Sequence, residues 1–168
     1  MDAPALCDGW TGRVVSNHMP DILRDLAGQL SDHGGPGRPR LRPAPRATDI
    51  DALRELLDED ITHAAWQAWT AHEAQCRDVS LERLLTALGR LDRRLAVAPY
   101  ALGDELTAAD VDLWVALVQL DTEHRFHLDA DAAQRVSRHE QLRAYVRRLH
   151  DHPAFHTTIP EALQDDVS

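Results

Sequence analysis

At 168 residues the chain fits a single domain, long enough to bury a core without disulfide or metal staples. A net charge of −10 and a pI near 5.3 argue against nucleic acid or an anionic membrane surface as partner. Two cysteines, Cys7 and Cys76, cannot build a disulfide framework, no apolar run approaches the ~18 residues of a membrane span, and the first residues lack the basic and apolar regions of a signal peptide, so a soluble, cytoplasmic protein is expected.

Residues 1–19 form a short, mixed arm, with Thr11-Gly12 as a turn and Arg13-Val14-Val15-Ser16 as a possible strand. From Pro20 to about Leu30, Ile22, Leu23, Leu26 and Leu30 share one helical face behind an N-terminal proline. Residues 32–47 hold three of the eight glycines and a Pro/Arg run, which predicts a loop. Thr48 to about Ala74 reads as one long helix or two, and Ser80 to Ala96 as an amphipathic helix built on Leu81, Leu84, Leu85, Leu88, Leu91 and Leu95. Ala108 to about Asp121 is apolar on nearly every side, so this helix belongs at the domain centre, with Trp114 in the core. His139 to His150 closes the series with Leu142, Tyr145, Val146 and Leu149 on one face, before Pro153. The class is all-α, a helical bundle.

The central helix is announced by Gly103-Asp104-Glu105-Leu106-Thr107-Ala108-Ala109-Asp110, where Thr107 and Asp110 can cap each other's amides. A Gly-Asp turn, a capping box and an apolar helix in succession resemble the C-terminal helical domain of glutathione transferases. Further segments resemble the xi class, the glutathionyl-hydroquinone reductases, in the same order along the chain. They are Leu6-Cys7-Asp8 with Thr11-Gly12-Arg13-Val14-Val15-Ser16-Asn17, the stretch Asp60-Ile61 through Trp66-Gln67-Ala68, Ala87-Leu88-Gly89-Arg90-Leu91-Asp92, and Leu120-Asp121 through His127. The resemblance implies a glutathione transferase C-terminal-like bundle over residues 20–168, with residues 1–19 as an arm or the remnant of a thioredoxin-like domain.

The departures bear on activity. In that family a Cys-Pro nucleophile attacks a glutathionyl adduct, its thiol activated by helix N-terminal amides. No Cys-Pro pair occurs here, and His18-Met19 stands where the family's Glu-Ser holds the γ-glutamyl end of glutathione. Trp66 and His124 occupy positions where the resemblance places tyrosines. Cys7 has Asp8 beside it and Cys76 lies near a helix end, and both read as inert thiols.

Ten histidines are many for this length. Asp121, His124 and His127 follow at i+3 steps, which on a continued helix lines them along one face. Such a face suits a metal held by two imidazoles and a carboxylate, an acid–base pair with Asp121 orienting His124, or a solvated helix end whose histidines cap the last carbonyls. His63, three residues before Trp66, is either pocket lining or a packed core histidine. Trp66 and Trp69 can form an aromatic wall for a flat ligand. Trp10 sits where it could cover an otherwise bare apolar face.

The site expected from these features has His124, Asp121 and His63 in catalysis. Trp66, Trp69, His127 and Tyr145 are its substrate contacts. No metal or cofactor is assigned, the partner is a hydrophobic small molecule, and a homodimer is expected across the face that a thioredoxin-like domain covers in the family. Three functions follow. One is a glutathione-independent enzyme working by acid–base chemistry on a quinone-like or polyketide-like compound in specialised metabolism. The others are a non-catalytic ligand-binding or partner-interaction protein, and a residual transferase-type activity.

Overall fold

The chain enters through a two-stranded antiparallel hairpin, β1 (Leu6–Cys7) and β2 (Val14–Ser16). Its turn is closed by Asp8, which accepts from the Trp10 amide at 2.9 Å and the Thr11 hydroxyl at 2.6 Å. Those donors hold its carboxyl below the usual carboxylate range, the Thr11 bond foremost. Gly12 completes the turn at φ +66°, a backbone that favours glycine. The computed structural model describes residues 5–32, 40–124, 130–152 and Phe155.

Seven α-helices follow among the described residues. Helix α1 is Met19–Asp32, α2 Ala47–Leu56, α3 Ala64–Thr70, α4 Ala74–Leu95, α5 Ala108–Gln119, α6 Ala130–Ser137 and α7 Glu140–His150. A 3-10 turn at Ala44–Arg46 leads into α2. Two stretches wind as π-helix with i→i+5 bonding: Leu57–His63 joins α2 to α3, and Leu120–His124 extends α5. The path from Ala47 to Thr70 is thus one helical run with a widened middle, along which Ile50, Leu53, Leu57, Ile61 and Ala65 keep facing the core. Of the predicted 32–47 loop, residues 33–39 lie outside the described residues. The described part is irregular up to the 3-10 turn, and Arg42 leaves it to pair with Asp51 through two hydrogen bonds of 2.9 and 2.6 Å.

Three expectations change. Helix α4 begins at Ala74, six residues before the predicted start, and α3 ends at Thr70 instead of running on to Ala74. Residues 74–79 are all exposed, so they carry no apolar period from which a helix could be read. Helix α6 was not foreseen; it is short and polar, anchored by buried Ala132. The central helix buries Ala109, Leu113 and Trp114 but leaves Val115 46% exposed, so it is not covered on every side.

The core forms where α2, α4, α5 and α7 meet, with α3 packed on α4 and the Leu57–His63 segment between α4 and α5. Polar ties fix the helices. Arg54 of α2 grips Asp112 of α5 through two hydrogen bonds of 3.0 and 3.2 Å. Burial pushes the Asp112 carboxyl above its usual range, a shift that the Arg54 guanidinium opposes. Asp92 of α4 accepts the Leu142 amide at 3.0 Å, supplying from another helix the cap that His139 does not give to α7.

The deepest tie is Asp110. The reciprocal capping box with Thr107 forms, the Thr107 amide donating to Asp110 at 2.8 Å. The other carboxylate oxygen takes the Ala101 amide at 2.8 Å and the Tyr145 hydroxyl at 2.7 Å. Tyr145 has no exposed surface. Burial, with the Asp110 charge and hydrogen bond added, pushes its phenol far above the ordinary range of about 10.

Removing that hydroxyl gives a direct check. Tyr145→Phe should destabilise the fold by about 1.5–3 kcal/mol in urea at pH 8, the worth of a hydrogen bond to a charged group. Because the folded chain keeps a proton that the unfolded chain releases, the wild type holds this stability below about pH 10 and loses it as pH rises further. The variant should show a flatter decline over that window. Identical urea midpoints for the two proteins at pH 8 would show that the contact contributes nothing.

Candidate functional site

The π-helical segment Leu57–His63 ends on His63, and α3 continues from it. The inner face of α3 is small and buried, with Ala64, Ala65 and Ala68 against α4. The outer face therefore carries the large side chains: His63 is exposed, Trp66 is 49% and Trp69 46% exposed. His63 and Trp66 stack with ring centroids 5.9 Å apart and planes at 22°. The core-histidine alternative for His63 is thereby set aside. Gln67, one turn on, brings its Nε2 within 2.9 Å of His63 Nε2, and its Oε1 accepts from the buried Ser80 hydroxyl of α4 at 3.4 Å. Neither Gln67 nor Ser80 was singled out from the sequence. The i, i+4 spacing of His63 and Gln67 was a readable signal, whereas Ser80 reaches them only through the packing of α4 on α3.

Opposite lies the second π-helical segment. Leu120 is buried and anchors it, Asp121 is exposed, and the Thr122 hydroxyl donates to the Val118 carbonyl at 2.8 Å. This segment packs against α3. The stretch ending at His124 is therefore a neighbour of α3, the helix that begins directly after His63. Asp121 and His124 belong to the Leu120–His124 turn, which has π and not α spacing. His127 lies outside the described residues. Tyr145 is corrected outright: it is a core residue bonded to Asp110, with no surface to offer a ligand. Among the described residues no group of three or more metal-ligating side chains comes together.

Apolar surface also collects at the other end of the chain. Trp10 is 95% exposed and covers nothing, contrary to the role expected for it. Val14 and Val15 of β2 are also more than half exposed, on opposite faces of the strand, and Leu23 and Leu26 of α1 are exposed as well. Cys7 and Cys76 are both exposed free thiols, and Cys76 donates to the Glu73 carboxylate at 3.7 Å.

The helix order, the capping box with its buried Asp110 and the central α5 are features of one family, and the model of the "Glutathione S-transferase, C-terminal domain" matches residues 18–148. The chain belongs to that family. It is 26% identical over 156 residues to the glutathionyl-hydroquinone reductase YqjG of Escherichia coli, a match covering 93% of this chain and 47% of that protein. It is also 26% identical over 157 residues to the glutathionyl-hydroquinone reductase PcpF of Sphingobium chlorophenolicum, covering 93% and 49%. A crystal structure of a glutathione transferase from Gordonia bronchialis superposes with a TM-score of 0.80 at 29% identity, covering 94% of this chain and 49% of that one. The chain spans about half the length of the curated relatives it matches. Among the described residues no helix is long and apolar enough to cross a membrane.

Proposed function

We propose that this helical domain binds a flat, hydrophobic small molecule on the His63–Trp66–Trp69 face of α3, beside Asp121 and His124. There it would carry out glutathione-independent acid–base chemistry, an isomerisation, cyclisation or elimination on a quinone-like or polyketide-like compound. The observation that carries this reading is the packing of α3, which bears Trp66 and Trp69 and begins directly after His63, against Leu120–His124, far apart in sequence. Two half-exposed tryptophans give such a ligand stacking surface, and histidine takes and returns protons near neutral pH, which a phenol of pKa about 10 does poorly. Ligand binding without turnover is the second reading, favoured by the exposed tryptophans alone.

The histidine test is substitution. His124→Ala should lower turnover by about 10²–10⁴-fold while ligand binding, read by tryptophan quenching, and the fold both persist. Wild-type turnover in the variant would leave His124 outside the chemistry.

Glutathione gives a second test. The relatives named as glutathionyl-hydroquinone reductases act on glutathionyl compounds, but this chain carries no Cys-Pro pair and has His18-Met19 at the expected γ-glutamyl contact. Calorimetric titration of the 168-residue chain with glutathione should therefore show no binding at micromolar concentrations. A micromolar Kd would restore the transferase-type reading.

The exposed apolar side chains of the hairpin and α1, among them Trp10, Leu23 and Leu26, are proposed to be buried between two copies of the chain. Sedimentation equilibrium should return a dimer that Trp10→Ser with Leu26→Ser dissociates. A wild-type monomer at high concentration would refute the dimer.

A further inference from the structure

The exposed face of α3 contains a hydrogen-bonded chain that runs inward from His63. Gln67 offers its amide nitrogen to His63 Nε2 at 2.9 Å, and its amide oxygen receives the hydroxyl of Ser80 at 3.4 Å. Ser80 is 7% exposed and belongs to α4, so its position is set by the packing of α4 on α3. An amide nitrogen can only donate. With Gln67 in this orientation, His63 Nε2 must accept, and the proton of the neutral ring sits on Nδ1. Which nitrogen carries the proton is decided by the partner of the other one.

We infer that Gln67, tied at its far end to Ser80, is a positioning residue that holds His63 as the Nδ1–H tautomer, so that His63 serves the bound ligand as a neutral hydrogen-bond donor to a carbonyl-type oxygen. The inference rests on the proposed function in taking this face as the ligand site, and it revises the role of His63 within it. An imidazole whose Nε2 already accepts has no free lone pair for proton abstraction. What it can do is polarise: a neutral imidazole N–H aimed at an oxygen stabilises negative charge that develops there. Proton transfer then belongs to Asp121 and His124 on the neighbouring segment. The stacking of His63 on Trp66 at 5.9 Å and 22° holds the ring plane against rotation, and gives the ligand an aromatic surface continuous with the donor. The ligand class that fits is a flat, uncharged aromatic bearing an acceptor oxygen. An anion is disfavoured by Asp58, Glu59 and Asp60 on the segment that ends at His63, three carboxylates of which Arg83 pairs with Glu59 and Asp60, leaving the segment net acidic.

The tautomer is measurable without any ligand. Long-range proton–nitrogen correlation spectra of the uniformly labelled protein at pH 8.5, where an ordinary imidazole of pKa about 6.5 is neutral, should show His63 with a protonated Nδ1 and an unprotonated Nε2. The signal is assigned by its loss in His63→Gln. Free histidine prefers the opposite tautomer, so this outcome is not the default. Gln67→Glu can only accept at that position and should turn the ring to Nε2–H; Gln67→Ala should relax it to the ordinary preference. An Nε2–H ring in the wild type overturns the inference.

The ligand arm uses two probes of one shape, 9-fluorenone and fluorene, titrated by tryptophan quenching. Wild type should bind fluorenone about 3- to 10-fold more tightly, the worth of one net hydrogen bond. Gln67→Glu should lose that preference while its affinity for fluorene stays unchanged. Equal affinity of the wild type for the two probes overturns the donor role even if the tautomer is as inferred. Failure of both probes to bind, with the Nδ1–H tautomer present, overturns the ligand face itself and so separates the two claims.

Discussion

One carboxylate organises this fold. Asp110 has no exposed surface, yet it is an acidic side chain at the centre of a domain, and such a group survives burial only when its lone pairs are filled. Its donors are the amide of Ala101, the amide and hydroxyl of Thr107 and the hydroxyl of Tyr145. They come from the loop before α5, from the first turn of α5 and from α7, so a single side chain fixes where the central helix begins, how the loop reaches it and how α7 lies across it. Gly103, at φ +128° within a tight backbone bridge to Tyr100, lets the loop make that approach. Once the start of α5 is set, Asp112 meets Arg54 on α2, and the far end of α5 arrives against α3 as the π-helical turn that bears Asp121 and His124. The candidate site lies at the opposite end of the helix that Asp110 starts.

Much of this architecture was legible because it follows local rules. The capping box, the leucine period of α4 and the apolar run of α5 are patterns of three to four residues, and each was found where the sequence placed it. The start of α4 and the whole of α6 were not, since the first is polar and exposed throughout and the second is short, polar and buries only Ala132. Arg135 of α6 pairs with Glu82 of α4 across 53 residues, and no spacing rule reaches that far.

The site was legible to a lesser degree and for a different reason. Sequence reasoning picked out the two segments, and the structure brings them together, but it assigned faces by assuming α spacing throughout. Both segments wind as π-helix at the histidine end, a departure from α geometry that no residue pattern announces. Tyr145 shows the same limit from another side. An amphipathic pattern places it on the inner face of its helix, and only the fold reveals that the hydroxyl there is needed by Asp110. His63 stood out by its neighbours in sequence, while Ser80, which acts on it through Gln67, came from another helix.

The capping of α7 has a further consequence for how the protein folds. That helix makes no side-chain cap at its own start; the amide of Leu142 is satisfied by Asp92, fifty residues earlier on α4. Its only buried phenol is satisfied by Asp110, thirty-five residues earlier on α5. A helix of 11 residues is marginal as an isolated segment in water, and this one completes its polar contacts only on docking. Helix formation and tertiary attachment are therefore one event for α7. Its contacts with α4 and α5 couple the C-terminal part of the described residues to the cooperative unit instead of leaving it to fray.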